Sequence, residues 1–198
     1  VTYVGPVEDY EKLLNGVQLW DVGVERHVQI NGPDAEALAQ FLTPRNIKKC
    51  SVGQAMYTPL TDFQGGLLSD PVMLKIAEDC YWFSISDGDL LLWVQAIAAG
   101  YKFDVNVEEP DVSPLQTQGP NSTKLMVKVF GDWVNDLPFY RFKEITHEGI
   151  PMVIARMGYS KELCYEIFLQ DHSKGDELWE MLWEAGQDLN ISPGGPNM

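Results

Sequence analysis

The chain has 198 residues, 45% of them hydrophobic and 22% charged, which excludes a disordered polypeptide and leaves room for one or two packed domains. Lys and Arg number 14 against 29 Asp and Glu, a formal charge of −15 that disfavours nucleic acid and anionic membrane surfaces as partners. No apolar run approaches the roughly 20 residues of a bilayer span, and the first residues carry no export signal, so a cytoplasmic location is expected. Cys50, Cys80 and Cys164 are odd in number and far apart, which argues against a disulfide framework or a zinc site and fits a reducing compartment.

In chain order, Leu19 to Ile30 alternates as a half-buried strand. Asn31-Gly32-Pro33-Asp34 then opens a helix with Ala35, Leu38, Ala39 and Leu42 on one stripe. Gln54 to Leu60 and Leu68 to Ile76 read as strands flanking a turn at Asp62-Phe63-Gln64-Gly65-Gly66. A strand over Tyr81 to Ser86 precedes an apolar helix led by Asp89 and stopped by Gly100, and Phe103 to Val107 closes the section as a strand. The second half repeats the mixture. A strand at Pro114 to Gln118 leads to a helix ended by Gly131, followed by a hairpin of Arg141 to Thr146 and Met152 to Arg156. A strand over Tyr165 to Leu169 then precedes a helix capped by Ser173, and Ser192 to Met198 has loop chemistry. Helices and strands are mixed without a strict βαβ alternation, which predicts an α+β fold.

The three histidines, His27, His147 and His172, lie on separate elements and read as surface or satisfied groups; no metal site is expected. Nucleophile-elbow, P-loop and dinucleotide-binding motifs are absent from the sequence. Two acids stand out physically. Asp70 interrupts Leu67-Leu68-Ser69-Asp70-Pro71-Val72-Met73-Leu74, a run that otherwise favours burial, and a buried carboxylate needs a partner or a task. Glu166 precedes Ile167-Phe168-Leu169, and a carboxylate in an apolar setting suits the two-donor edge of an amino-pyrimidine.

Several segments together carry a resemblance. They are Val17-Gln18-Leu19-Trp20-Asp21-Val22, Gly53 to Leu60 running into Gly65-Gly66-Leu67-Leu68-Ser69-Asp70, Gln118-Gly119-Pro120, and Arg156-Met157-Gly158-Tyr159-Ser160 through Tyr165-Glu166-Ile167. In order and spacing the chain resembles the folate-binding aminomethyltransferase family typified by the glycine cleavage T-protein. Trp20 to Arg26, Ser69-Asp70-Pro71-Val72, Ser160-Lys161, Lys102 to Val105 and Gly195-Pro196-Asn197 are most similar to its tetrahydrofolate-dependent dimethylsulfoniopropionate demethylase branch. The resemblance implies two interleaved α+β units: a discontinuous folate-binding domain of residues 1–48 and 110–198, and a ferredoxin-like insert over 49–109. The family pattern continues beyond Asn197 into a C-terminal β-domain, so a C-terminally truncated chain is expected, self-associating through the surface left bare and inactive on its own.

What the resemblance implies for function is one-carbon transfer on tetrahydrofolate from a small-molecule donor, a sulfonium or methylamine. Asp70 matches the family's acid near folate N5 and N10, while Tyr57, Tyr159 and Glu166 match pterin-contacting positions. Ser86 stands where the T-protein pattern has Asn. Two alternatives accompany this reading: aminomethyl transfer as in glycine cleavage, and a non-catalytic folate-binding module. The T-protein pattern here is Gly-Tyr-Thr-Gly-Glu-x-Gly-Phe/Tyr-Glu; residues 158–166 follow it with Ser160 at the Thr position and with Lys161 and Cys164 in place of its two later glycines. If either position needs positive φ, the turn is strained or rebuilt.

Overall fold

A computed structural model describes residues 3–85 and 88–194. The chain begins with α1 (Pro6–Asn15), which has proline at its first position and Glu8 and Asp9 in its first turn, an arrangement that suits the free N–H groups and positive end of a helix. It enters β1 (Val17–Asp21) and then a long excursion through β2 (His27–Asn31), α2 (Ala35–Phe41), β3 (Gln54–Tyr57), β4 (Leu60–Thr61), β5 (Leu67–Ser69), β6 (Val72–Ala77), β7 (Cys80–Ser84), α3 (Leu90–Tyr101) and β8 (Asn106–Glu108). The return runs through β9 (Ser113–Gln118), α4 (Ser122–Phe130), β10 (Phe142–His147), β11 (Ile150–Ala155), β12 (Cys164–Leu169), α5 (Gly175–Ala185) and β13 (Ile191–Gly194).

Two compact units result, residues 1–23 with 112–198 and residues 24–111. In the discontinuous unit six strands run in the order β10-β11-β12-β9-β1-β13, antiparallel except for the β1–β13 pair. Alternation sorts their side chains. Val17, Leu19, Leu115, Met152, Ile154, Tyr165 and Ile167 form a core with Leu125, Met126 and Phe130 of α4 and Leu178 and Leu182 of α5. The opposite parity carries Gln18, Trp20, Gln116, Gln118, Cys164 and Glu166, which are also buried. One face of this sheet is therefore apolar and helix-covered, and the other concentrates the polar groups.

The contiguous unit is a five-stranded antiparallel sheet in the order β3-β6-β7-β2-β8. Its run β2-α2-β6-β7-α3-β8, with spatial order β6-β7-β2-β8, is the ferredoxin-like arrangement expected, and β3 adds an edge strand. Val28, Ile30, Met73, Tyr81 and Phe83 of the sheet pack with Leu38, Ala39 and Leu42 of α2 and with Leu90, Val94 and Ile97 of α3 and its flank.

Several expectations are corrected. The single alternating run over Leu19 to Ile30 divides into β1 and β2, which enter different sheets. The first boundary accordingly moves from residue 48 to residue 23 and the second from 110 to 111, because β2 is an interior strand paired with both β7 and β8. Helix α2 starts at Ala35, after Pro33, and the Asp34 carboxylate accepts the Asp104 N–H at 2.8 Å rather than capping its own helix. Gly100 lies inside α3, whose end is Lys102 in a left-handed conformation donating its N–H to Ala98 and Ala99 carbonyls. Ser173 sits in a 3₁₀ turn whose cap is the Asp171 side chain, so it does not cap α5. Ser192 to Gly194 belong to β13, where Pro193 is tolerated because the strand is at the sheet edge; residues 195–198 lie outside the described residues.

Candidate functional site

Tyr57 ends β3, and Asp70 sits between β5 and β6, in front of Pro71. Pairing of Tyr57 with Val72, and donation of the Thr58 N–H to the Pro71 carbonyl at 2.8 Å, hold the two segments together. The Tyr57 hydroxyl then donates to Asp70 Oδ2 at 3.1 Å. Asp70 itself is exposed, and Leu67 and Leu68 beside it are 64% and 45% exposed. The expected burial of this run fails for a topological reason. Leu67 to Ser69 pair only with the two-residue β4 in a separate ribbon, and the chain joins the five-stranded sheet at Val72. Asp70 is thus an open carboxylate steered by a phenol, not an acid held in a dry core.

Glu166 is the opposite case. It is central in β12, 7% exposed, and faces Gln116 across the β9–β12 pair. Gln116 Nε2 donates to Glu166 Oε1 at 3.1 Å, Gln118 Nε2 donates to Gln116 Oε1 at 2.6 Å, and the Ser160 N–H donates to Gln118 Oε1 at 3.1 Å. The carboxylate is therefore buried among amides rather than in the apolar setting expected from Ile167-Phe168-Leu169. On β1, two strands from β12 and opposite Gln118, Gln18 donates to Asp9 Oδ1 at 2.7 Å and accepts from Trp20 Nε1 at 3.1 Å. The polar face of the sheet thus carries three buried amides, Gln18, Gln116 and Gln118, with the Glu166 carboxylate on β12 and Asp9 of α1 against Gln18.

The turn that carries Tyr159 explains the two departures from the glycine pattern. Lys161 does adopt positive φ, +66°, the conformation a glycine would take without cost. Cys164 does not; it is buried at the start of β12, and its side chain occupies the space over Gly158. A Cβ built on Gly158 would lie 2.7 Å from Cys164 Cβ and closer still to Sγ, so Gly158 is required by close approach. Gly119 of the Gln118-Gly119-Pro120 segment has φ +117°, and a Cβ there would meet the Leu13 and Gly16 carbonyl oxygens at 2.7 and 2.6 Å. Tyr159 projects from the turn and is 77% exposed. Burial, with the Glu166 charge second, pushes the Cys164 thiol up to about 12, which leaves it protonated and unreactive at neutral pH.

Two titratable groups of the contiguous unit stand out: Glu25, which no sequence pattern marks, and His27, which is 1% exposed and so not a surface histidine. Glu25, just before β2, is raised from 4.5 to about 7 by desolvation. His27, at the start of β2 and edge-on to Trp82 with ring centroids 6.1 Å apart, is lowered from 6.5 to about 4, chiefly by desolvation. The signal available was the parity of β2, which puts His27 on the same side as Gln29, but nothing in the sequence shows how deeply that side is covered. Gln116 and Gln118 were also legible only as alternate residues of a strand. Of the residues singled out by resemblance, Tyr57 and Asp70 meet in the contiguous unit. Glu166 and the Tyr159 turn are joined in the discontinuous one. Ser86 lies outside the described residues. Among the described residues no group of three or more His, Cys, Asp or Glu could hold a metal ion, and no helix is long and apolar enough to cross a membrane.

Two α+β units, one of them inserted between β1 and β9 of the other, define a recognisable class of fold. The chain belongs to the family described as the GCVT N-terminal domain, whose model matches residues 5–197. It is 45% identical over 189 residues to the dimethylsulfoniopropionate demethylase DmdA of Ruegeria pomeroyi, covering 96% of this chain and 52% of that protein. It is 31% identical over 198 residues to the aminomethyltransferase of Halothermothrix orenii, covering 98% of this chain and 55% of that protein. The glycine cleavage system aminomethyltransferase T of Bartonella henselae shares the fold, with a TM-score of 0.86 at 22% identity over 98% of this chain and 52% of that one. The chain thus spans about half the length of the curated relatives it matches.

Proposed function

We propose that the protein takes part in tetrahydrofolate-dependent methyl transfer from a sulfonium or methylamine donor, with dimethylsulfoniopropionate the leading candidate. The observation that carries this reading is the Glu166 carboxylate. A buried acceptor whose Oε1 is fixed by Gln116 suits the two-donor edge of an amino-pyrimidine, and an exposed carboxylate would gain much less from the same contact. Likeness to a sulfonium demethylase supports the choice of donor. When bound, the folate would supply the N5 nucleophile that accepts the methyl group.

The chain's own residues would bind and orient. Glu166 would grip the pterin and the neighbouring Tyr159 turn would bring aromatic surface to it, while Tyr57 and Asp70 form a separate pair on the contiguous unit. Asp70, held by the Tyr57 hydroxyl, presents negative charge to the reacting region and steadies the positive donor without forming a covalent bond. A second reading, aminomethyl transfer as in glycine cleavage, is favoured by the shared fold of the T-protein.

Calorimetric titration of the intact protein with tetrahydrofolate, beside Glu166→Gln, tests the folate site: saturable binding that the variant loses supports it, and equal binding by both refutes it. Turnover with dimethylsulfoniopropionate, compared with an aminomethyl-lipoyl carrier protein, then decides the donor. Asp70→Asn should cut turnover far more than folate affinity; equal loss of both would make Asp70 a binding residue only.

A further inference from the structure

The contacts around Glu166 have a direction. At Ser160 a backbone N–H donates to the Gln118 oxygen; the Gln118 amide donates to the Gln116 oxygen; the Gln116 amide donates to Glu166 Oε1. Each glutamine accepts from the side of the turn and donates toward the carboxylate. Rotating either amide by 180° would set donor against donor and oxygen against oxygen, breaking two bonds at once. Gln118 and Gln116 are 0% and 3% exposed, so water is a poor substitute partner. Their positions follow from register. Both project from the same face of β9, opposite Cys164 and Glu166 of β12, which begins three residues after Lys161.

We propose that Gln118 and Gln116 are positioning residues that couple the Tyr159–Lys161 turn to the orientation of the Glu166 carboxylate, so that a pterin contacting both meets one preorganised unit. The inference rests on the folate reading of Glu166 given above. Its physical content is that the turn, anchored at the Ser160 N–H, fixes the Gln118 amide. That amide fixes Gln116, which in turn holds Glu166 Oε1. Lys161, next in the chain after Ser160, is left-handed at φ +66°, and β12 begins three residues further on at Cys164. Preorganisation of this kind raises affinity by removing the cost of ordering the acceptor at the moment of binding.

The test uses Gln118→Leu, which keeps most of the side-chain volume and removes both hydrogen bonds without touching Glu166. Tetrahydrofolate and its 2-desamino analogue are titrated into the intact protein. The relay predicts that Gln118→Leu weakens tetrahydrofolate about tenfold, the scale of one hydrogen bond to a charged group, and weakens the analogue much less. Discrimination between the two therefore collapses. A merely structural role would weaken both alike and leave the ratio untouched. Because Gln118→Leu could unfold the sheet, a second measurement uses the parent and Glu166→Gln alone: the side-chain amide resonances of Gln116 and Gln118 should both shift when the Glu166 charge is removed. An unchanged Gln118 resonance, or an unchanged discrimination ratio, overturns the relay. Should Glu166→Gln bind tetrahydrofolate as tightly as the parent, the folate reading of Glu166 fails, and the amide resonances still decide whether the relay exists.

Discussion

Glu25 and His27 give the folding stability opposite dependences on pH. Glu25 is raised from 4.5 to about 7, so between these values the folded chain holds a proton that the unfolded chain releases. Stability from this group is full below pH 4.5 and is lost as pH rises toward 7, by about 3 kcal/mol in all. His27 is lowered from 6.5 to about 4, so the unfolded chain takes up a proton that the folded chain refuses. Its contribution is full above pH 6.5 and is lost as pH falls toward 4, again by about 3 kcal/mol. Between pH 4.5 and 6.5 the two slopes oppose and cancel.

Glu25→Gln removes one of them. The variant should match the parent near pH 4.5 and become about 3 kcal/mol more stable at pH 7, because an amide stands in for the protonated acid and never ionises. Urea unfolding followed by tryptophan fluorescence at pH 4.5, 5.5, 6.5 and 7.5 measures this. The difference between the two proteins removes the contribution of every other titrating group. Parallel stability curves across that range would refute a Glu25 carboxyl raised to about 7 by partial burial, whatever the absolute stabilities.

Gly158→Ala should destabilise by about 1–3 kcal/mol, because the new methyl meets Cys164. Combining it with Cys164→Gly in a double-mutant cycle should reveal coupling of at least about 1 kcal/mol; simple additivity would mean that the Cys164 side chain is not what requires glycine there. Lys161→Gly removes a side chain from a residue at φ +66°. It should raise the unfolding free energy by about 0.5–1 kcal/mol, the left-handed penalty less the extra freedom of an unfolded glycine. A loss of stability in urea melts would show that the Lys161 side chain makes compensating contacts.

Periodicity revealed most elements, since β9, α4, the β10–β11 hairpin and β12 each carry enough alternating or stripe-forming residues to declare themselves. It failed where one parity runs through two strands, as in Leu19 to Ile30. There the break is made by the loop carrying Gly23 and Glu25, and alternation cannot announce a change of sheet. It failed differently at Leu67-Leu68, where apolar residues in a two-strand ribbon stay exposed because no third layer covers them. The acids Asp70 and Glu166 were legible as anomalies, but the partners that define them, Tyr57 and the Gln116–Gln118 pair, come from neighbouring strands. Cross-strand register decides such partners, and a single sequence does not display it. The conditional reading of Lys161 and Cys164 resolves into two separate outcomes: one position keeps the left-handed backbone, and the other needs no glycine because Gly158 gives way to its thiol.

The place where the excursion leaves and rejoins its host has a kinetic consequence. Strands β1 and β9 are hydrogen-bonded neighbours, yet residues 22–112 intervene between Asp21 and Ser113. The excursion starts on β2 and ends on β8, which are themselves antiparallel neighbours, and Arg26 pairs with Glu109 across the gap. If residues 24–111 fold first, the stretch separating β1 from β9 shortens from roughly 90 residues to a handful, about four halvings of loop length worth some 2.4 kcal/mol of closure entropy. Folding in sequence during synthesis would also have the contiguous unit complete while β12 and β13 are still unmade. The host sheet would then be the last part to form, and the Glu166 carboxylate would enter its amide layer only after the insert had brought β1 and β9 within reach.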